Sequence, residues 1–146
     1  MLRSIVGVVL GYAVIFAFFF ATFTGVYFAL GVERIFQPDS YEVSTLWLIL
    51  SAVITVFGSM LGGYVCAAIS TSERTCQVFA GIVLLILIVF CLPKIRDEGP
   101  HVRAGEVSNM DAMRLTHMPV WMHLLNPVLG AMGVLLGARM KLRSIK

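Results

Sequence analysis

The chain has 146 residues, of which 59% are hydrophobic and 13% are charged, and its formal net charge is +3. Soluble domains are nearer half apolar and a quarter charged, and the mean hydropathy here is +0.92. The composition therefore argues against a soluble protein and favours one integral membrane domain over residues 1–146. A charge this small also gives no reason to expect a nucleic-acid partner.

The first predicted span covers residues 4–30, which include no charged residue and no histidine. A transmembrane helix needs about 20 residues, whereas the apolar part of a signal peptide has roughly 7–15, so we expect a retained span. Small residues recur at every fourth position, which places them on one helix face. They are Ala13, Ala17, Ala21, Gly25 and Ala29. We predict that Ala17, Ala21 and Gly25 pack against another helix, while the neighbouring phenylalanine rings face lipid or fill gaps elsewhere.

The second predicted span covers residues 44–70, after a loop in which Asp39 and Glu42 resemble a helix capping box. Small residues lie four apart in this span too, beside a G-x-x-x-G pattern. The row is Ser51, Thr55, Ser59, Gly63 and Ala67, and the pattern is Gly58 and Gly62. Small residues permit close approach of two backbones in a bilayer, so helix contacts are predicted at the three glycines.

The third predicted span covers residues 75–92 and follows the short polar link 71–74, so spans two and three should form an antiparallel hairpin. Residues 94–118 then form the longest polar stretch of the chain, and its first half has the charge, glycine and proline of an exposed loop. Apolar residues in its second half lie near helical spacing, which predicts a short interfacial helix before the fourth span. These residues are Val107, Met110, Met113 and Met118.

The fourth predicted span covers residues 119–138 and contains two polar residues, His123 and Asn126, three apart on one helix face. A proline follows Asn126, removes one backbone donor and predicts a kink. The two polar side chains either bond to water beside this kink or contact a ligand or ion. Gly133 and Gly137 repeat the four-residue interval and are predicted to lie in helix contacts.

Together these segments predict an all-α integral membrane bundle of four transmembrane helices, with one short interfacial helix before the fourth. Three spans are the alternative, because the third segment is the shortest and the fourth is the most polar. The small residues are expected to serve assembly of this bundle, or contact with a helix of a partner protein or of a second copy.

Basic residues near the span ends favour both termini on the cytoplasmic side, where six of the eleven Lys and Arg residues lie. Trp47 and Trp121 fall at the starts of spans two and four, hence together on the opposite face, as interfacial tryptophans do. The basic tail after residue 138 either binds anionic lipid headgroups or only sets the topology.

The sequence contains no recognisable motif for catalysis, and no cofactor is expected. Spans one to three lack the Asp, Glu, Lys, Arg or His residues that proton- or ion-driven carriers need. Cys66, Cys76 and Cys91 form no C-x-x-C pair, so we expect them to pack in the core.

One segment before and within the fourth span combines thioether and imidazole groups, which are soft ligands of the kind that Cu(I) accepts. Its members are Met110, Met113, His117, Met118, Met122 and His123. The alternative to a metal site is that the methionines fill gaps and anchor the interface.

The second span ends in GGYVCAAIS, and a tiny polar link, a further span and a glycine-rich helix ending in GARMKLR follow it. This order resembles uncharacterised small bacterial membrane proteins, in which G-G-Y and an alanine pair are common at that place. The resemblance covers about half of the chain. It implies a four-span bundle, for which we expect a bacterial cytoplasmic membrane, and it implies no activity.

Three functions are compatible with these features, and the lipid bilayer is a partner in each. A non-catalytic subunit or accessory protein would act by packing its helices against another membrane protein. An oligomeric transport or channel element would line a polar path with Ser51, Thr55 and Ser59. A metal-handling protein or enzyme would use the methionine and histidine segment. The lack of a recognisable catalytic site favours the first function.

Overall fold

The computed structural model describes residues 2–38, 40–95 and 116–144, and these residues form a bundle of α-helices. The helices are α1 (Leu2–Leu30), α2 (Val32–Ile35), α3 (Thr45–Ser70), α4 (Glu73–Ile95) and α5 (Val120–Arg143). Within the described chain, all except α2 are long and apolar enough to cross a membrane. The prediction of an all-α fold with four helices of membrane length is therefore confirmed.

The long helices extend beyond four of the eight predicted span limits. α4 begins at Glu73 instead of residue 75, and α5 continues to Arg143 instead of ending at residue 138. Apolar segments mark only the part of a helix that suits hydrocarbon. Glu, Lys and Arg are good helix formers, so backbone hydrogen bonding continues through the polar turns that follow.

A serine side chain sets the beginning of α3. Ser44 is the N-cap residue, and its Oγ accepts a hydrogen bond from the Trp47 amide at 3.3 Å. The capping box predicted at Asp39 and Glu42 is therefore wrong in position, because the helix begins only at Thr45. Serine serves as a cap because its oxygen replaces the missing backbone acceptor of the first turn.

The central helix of the bundle is α3, which packs against both α1 and α5. The short link 71–72 joins α3 to α4, yet α4 packs more extensively against α5 than against α3. α3 and α4 are thus antiparallel, as predicted, but contact between the two helices is limited. α3 and α5 run parallel, since one antiparallel helix separates them in the chain.

The bundle has two ends that differ in structure. The link end contains the start of α1, the link 71–72 and the end of α5, and there Thr75 Oγ1 donates to Ser4 Oγ at 3.2 Å. The loop end contains residues 31–44 and 116–119. Neither name specifies a side of a membrane.

At the loop end, two chain segments pair above the helices. His117 forms a parallel bridge with Glu42, and its N–H donates to the Tyr41 carbonyl at 3.0 Å. A buried cluster beneath this bridge contains Tyr27, Ile35, Phe36, Val43 and Trp47. The predicted interfacial helix lies mostly outside the described residues, and residues 116–118 at its end are not helical.

Candidate functional site

Glycines bring the backbones of α3 and α5 into direct contact. A Cβ atom added to Gly63 would collide with the α5 backbone at Val134, and one added to Gly137 would collide with the α3 backbone. An added Cβ on Gly133 would lie 2.7 Å from Ser59 Cβ, shorter than ordinary contacts of 3.4 Å or more. The structure thus places three of the predicted glycines where larger residues do not fit.

The contact between α1 and α3 is also close, although the two backbones approach each other less than those of α3 and α5 do. An added Cβ on Gly62 would lie 2.7 Å from the Gly11 carbonyl oxygen, and one on Gly11 would lie 2.9 Å from the Gly62 carbonyl oxygen. Gly58 faces aromatic rings, with its added Cβ 2.7 Å from Phe18 Cδ1 and 2.5 Å from Phe19 Cε1. The predicted positions Gly58 and Gly62 therefore both lie in the contact with α1.

Three further glycines lie in helix contacts that were not predicted, namely Gly7, Gly11 and Gly130. An added Cβ on Gly7 would lie 3.1 Å from the Cys66 carbonyl oxygen, and one on Gly130 would lie 2.9 Å from Leu87 Cδ1. The pattern that could have identified two of them is GVVLG at residues 7–11, which is close to GVLLG at residues 133–137. These two pentapeptides pack against different faces of α3.

The row of small residues on α1 does not face the bundle. Ala13, Ala17, Ala21, Gly25 and Ala29 are all exposed, and nothing lies within 4 Å of an added Cβ on Gly25. The prediction that Ala17, Ala21 and Gly25 pack inside the bundle is therefore wrong. Their contact with a helix of another protein or of a second copy stays a prediction.

The inward face of α1 carries Gly7, Gly11 and Ile15 in its first half and aromatic rings in its second half. Ring centroids are 5.9 Å apart for Phe19 and Phe23 and 5.7 Å apart for Phe23 and Trp47, which is the usual range for favourable aromatic pairs. Large rings gain more dispersion contacts in a packed interior than alanines do, which explains why this face turns inward. Phe16 and Phe20 point outward and are 66% and 69% exposed.

Several polar side chains are buried in α3 and α5. Ser51 and Ser59 are buried within one chain, which does not favour a polar path between copies of the protein. Ser51 Oγ donates to the Leu48 carbonyl at 2.9 Å, whereas Ser59 Oγ has no hydrogen-bond partner within the described chain. The predicted polar pair, His123 and Asn126, also lies inside the bundle, since His123 is buried and the Asn126 Oδ1 atom is inaccessible.

An apolar groove of about 60 Å³ lies beside Ser59, between α1, α3 and α4.

The methionine and histidine segment is divided among different surroundings. Met110 and Met113 lie outside the described residues, Met118 packs against the aromatic cluster at the loop end, and Met122 is buried in α5. In the part of the chain that the structure describes, no three His, Cys, Asp or Glu side chains converge on a metal position. The described methionines act as apolar packing residues. Metal binding stays a prediction.

Two cysteines lie together at the link end, in the core cluster that also contains Phe79. Ser70 Oγ donates to the Cys66 carbonyl at 2.8 Å and lies 4.0 Å from Cys76 Sγ. Both are free and buried, and Cys91 is free and partly exposed. The prediction of core packing is thus confirmed for Cys66 and Cys76.

Among residues 2–38, 40–93 and 116–144, no Asp, Glu, Lys or Arg side chain is described as buried. The interior offers close backbone contacts, aromatic packing and a few neutral polar groups. Such an interior can hold helices together, and His123 is the buried residue in its described part that belongs to the types carriers use to bind and release ions. No protein-family model, curated protein or solved structure matches this chain.

Proposed function

We propose that this protein is a non-catalytic membrane subunit or accessory protein that binds another membrane helix through the small-residue face of α1. This face consists of Ala13, Ala17, Ala21, Gly25 and Ala29. The supporting observation is that a complete row of small residues lies outside the bundle, with open space around Gly25. Close backbone approach drives helix association in lipid, and small residues allow it.

The low burial of α1 also supports a contact with a partner helix. In the most apolar window of α1, 17% of the residues are buried, compared with 44% in α3. Exposed rings accompany the small-residue face, since Phe16, Phe20 and Phe28 all point away from the bundle. A partner helix can fit closely into a shallow strip beside large side chains, whereas mobile lipid chains fill such a strip less completely.

A pair of glycine variants tests this proposal. Gly25→Leu adds bulk to the small-residue face, and Gly81→Leu adds the same bulk to an exposed position of α4. Nothing lies within 4 Å of an added Cβ at either glycine, so both variants should fold and be at least as stable as the wild type. The tagged full chain is extracted from its native membranes in mild detergent, and quantitative mass spectrometry measures the proteins that co-purify.

We expect a stoichiometric membrane partner with the wild type and with Gly81→Leu. Gly25→Leu should recover about tenfold less of it, because bulk in a close contact costs about 1–3 kcal/mol. Equal recovery with both variants, or no stoichiometric partner at all, contradicts the proposal. Purification of an oligomer of this chain alone favours the oligomeric transport element instead, which solute flux into reconstituted vesicles would then test.

A further inference from the structure

We infer that the link end of the bundle is a binding surface for the headgroups of anionic phospholipids. Three helices bring five basic side chains to this end, and one acidic side chain accompanies them among the described residues. The basic residues, called the basic collar below, are Arg3, Arg74, Arg139, Lys141 and Arg143, and the acid is Glu73. The inference does not depend on a partner helix at α1.

The charge of the described bundle is strongly asymmetric. At the loop end the described residues with ionisable acidic or basic side chains, histidine aside, are Glu33, Arg34, Glu42 and Lys94, so the formal charges cancel there. If the cations served only to keep helix ends in water, similar groups at both ends would suffice. An excess of positive charge at one end matches a negatively charged membrane surface.

The basic residues of α5 belong to a fixed surface. The helix continues to Arg143, and Leu142 packs against the buried core cluster near the link end. Lys141 Nζ lies 5.3 Å from the centroid of the Tyr64 ring, a distance typical of a cation–π contact. Because the helix already fixes the backbone at these positions, less backbone entropy is lost when they bind a phosphate group.

The helix lengths place the basic collar at the level of the lipid headgroups when the bundle spans a bilayer. With a rise of 1.5 Å per residue, α5 rises about 29 Å from Val120 to Arg139, and α4 rises about 27 Å from Arg74 to Leu92. Both lengths are close to the hydrocarbon thickness of roughly 30 Å. When these helices span a bilayer, the cations therefore emerge at the boundary between acyl chains and headgroups.

The other two members of the basic collar lie where α1 and α4 begin. The hydrogen bond from Thr75 Oγ1 to Ser4 Oγ joins the first turns of these helices, next to Arg3 and Arg74. Both arginine side chains are exposed. Phosphodiester oxygens require N–H donors and positive charge, and guanidinium groups supply both.

A lipid titration of the purified full chain in detergent tests the inference, with native mass spectrometry to count bound lipids. The probes are phosphatidylglycerol and phosphatidylcholine with identical acyl chains, so that they differ chiefly in headgroup charge. The wild type should bind phosphatidylglycerol at least about tenfold more tightly. This preference should decline when NaCl is raised from about 0.05 M to about 0.5 M, because salt screens surface charges.

Variants of the basic collar should weaken this binding in proportion to the charge removed. Lys141→Gln should weaken phosphatidylglycerol binding about fivefold, and Lys141→Gln combined with Arg143→Gln about 25-fold. Arg34→Gln, which removes one exposed cation at the loop end, is the matched control and should leave the affinity unchanged. Arg74→Gln is an independent variant on α4, expected to lose about fivefold even if the double variant of α5 does not fold.

Equal affinity for the two lipids overturns the inference. An equal loss with Arg34→Gln and Lys141→Gln also overturns it, because the effect would then reflect net charge and not the link end. If the native mass spectra show a co-purified acidic polypeptide in place of phospholipid, the surface binds a protein, and that result likewise refutes a lipid site.

Discussion

The substitution Gly137→Ala tests whether backbone contact between α3 and α5 holds the bundle together. An alanine Cβ at this position would overlap the carbonyl oxygen, carbonyl carbon and Cα of Met60. These backbone atoms cannot rotate away, so the two helices must separate. Gly133→Ala is a milder change, because its Cβ would lie 2.7 Å from Ser59 Cβ and 2.8 Å from the Val56 carbonyl oxygen, and ordinary contacts are 3.4 Å or more.

Two opposing effects determine the free energy of unfolding of these variants. Alanine is more favourable than glycine in a helix interior by about 1 kcal/mol, whereas overpacking costs about 1–3 kcal/mol. Gly81→Ala, in open space on α4, should show only the first effect and stabilise the protein by up to about 1 kcal/mol. Gly133→Ala should be near neutral, and Gly137→Ala should destabilise by about 2 kcal/mol, since its overlap is the most severe.

Unfolding in mixed micelles with increasing dodecyl sulfate, followed by circular dichroism, measures these differences. The expected order of stability is Gly81→Ala, wild type, Gly133→Ala and then Gly137→Ala. If Gly137→Ala is as stable as Gly81→Ala, the reasoning is refuted, because α3 and α5 then do not meet through their backbones.

Ser44→Ala should destabilise by about 1 kcal/mol in the same titration, because the Ser44 side chain caps the amide of Trp47, and Ser44→Thr, which keeps the hydroxyl, should stay near the wild type. In limited labelling of the folded protein with N-ethylmaleimide, a membrane-permeant thiol reagent, Cys91 should react first, since Cys66 and Cys76 are 0% and 1% exposed. Peptide mass spectrometry gives the order of labelling, and simultaneous reaction of all three thiols would contradict the buried cysteine pair.

The sequence alone was sufficient to identify the long helices and their approximate limits. Each of the four apolar segments corresponds to a helix of membrane length. A backbone in hydrocarbon must satisfy its own hydrogen bonds, so an apolar segment of about 20 residues has little alternative to a helix. The exact ends were less predictable, because polar helix formers such as Glu73 and Arg143 extend the helices beyond the apolar segments.

The candidate site could be predicted only in part. Five glycines of α3 and α5 were identified by their spacing, and they do lie in helix contacts. The same spacing on α1 selected Ala17, Ala21 and Gly25, which are exposed. A four-residue interval shows that residues share one helix face, but it does not show in which direction that face points. Either of two faces of α1 could have packed against the other helices, and the face with Phe19 and Phe23 does so.

The neighbours of each helix were decided only by the tertiary structure. Connection along the chain favoured α3 and α4 as the main pair, yet the parallel pair α3 and α5 has the more extensive contact and the closer backbone approach. Glycines on both of these helices allow this approach, whereas Gly81 of α4 faces open space. Hydropathy belongs to each segment and is set by its own residues. A helix contact depends on two surfaces at once, so it is determined only when the segments are brought together.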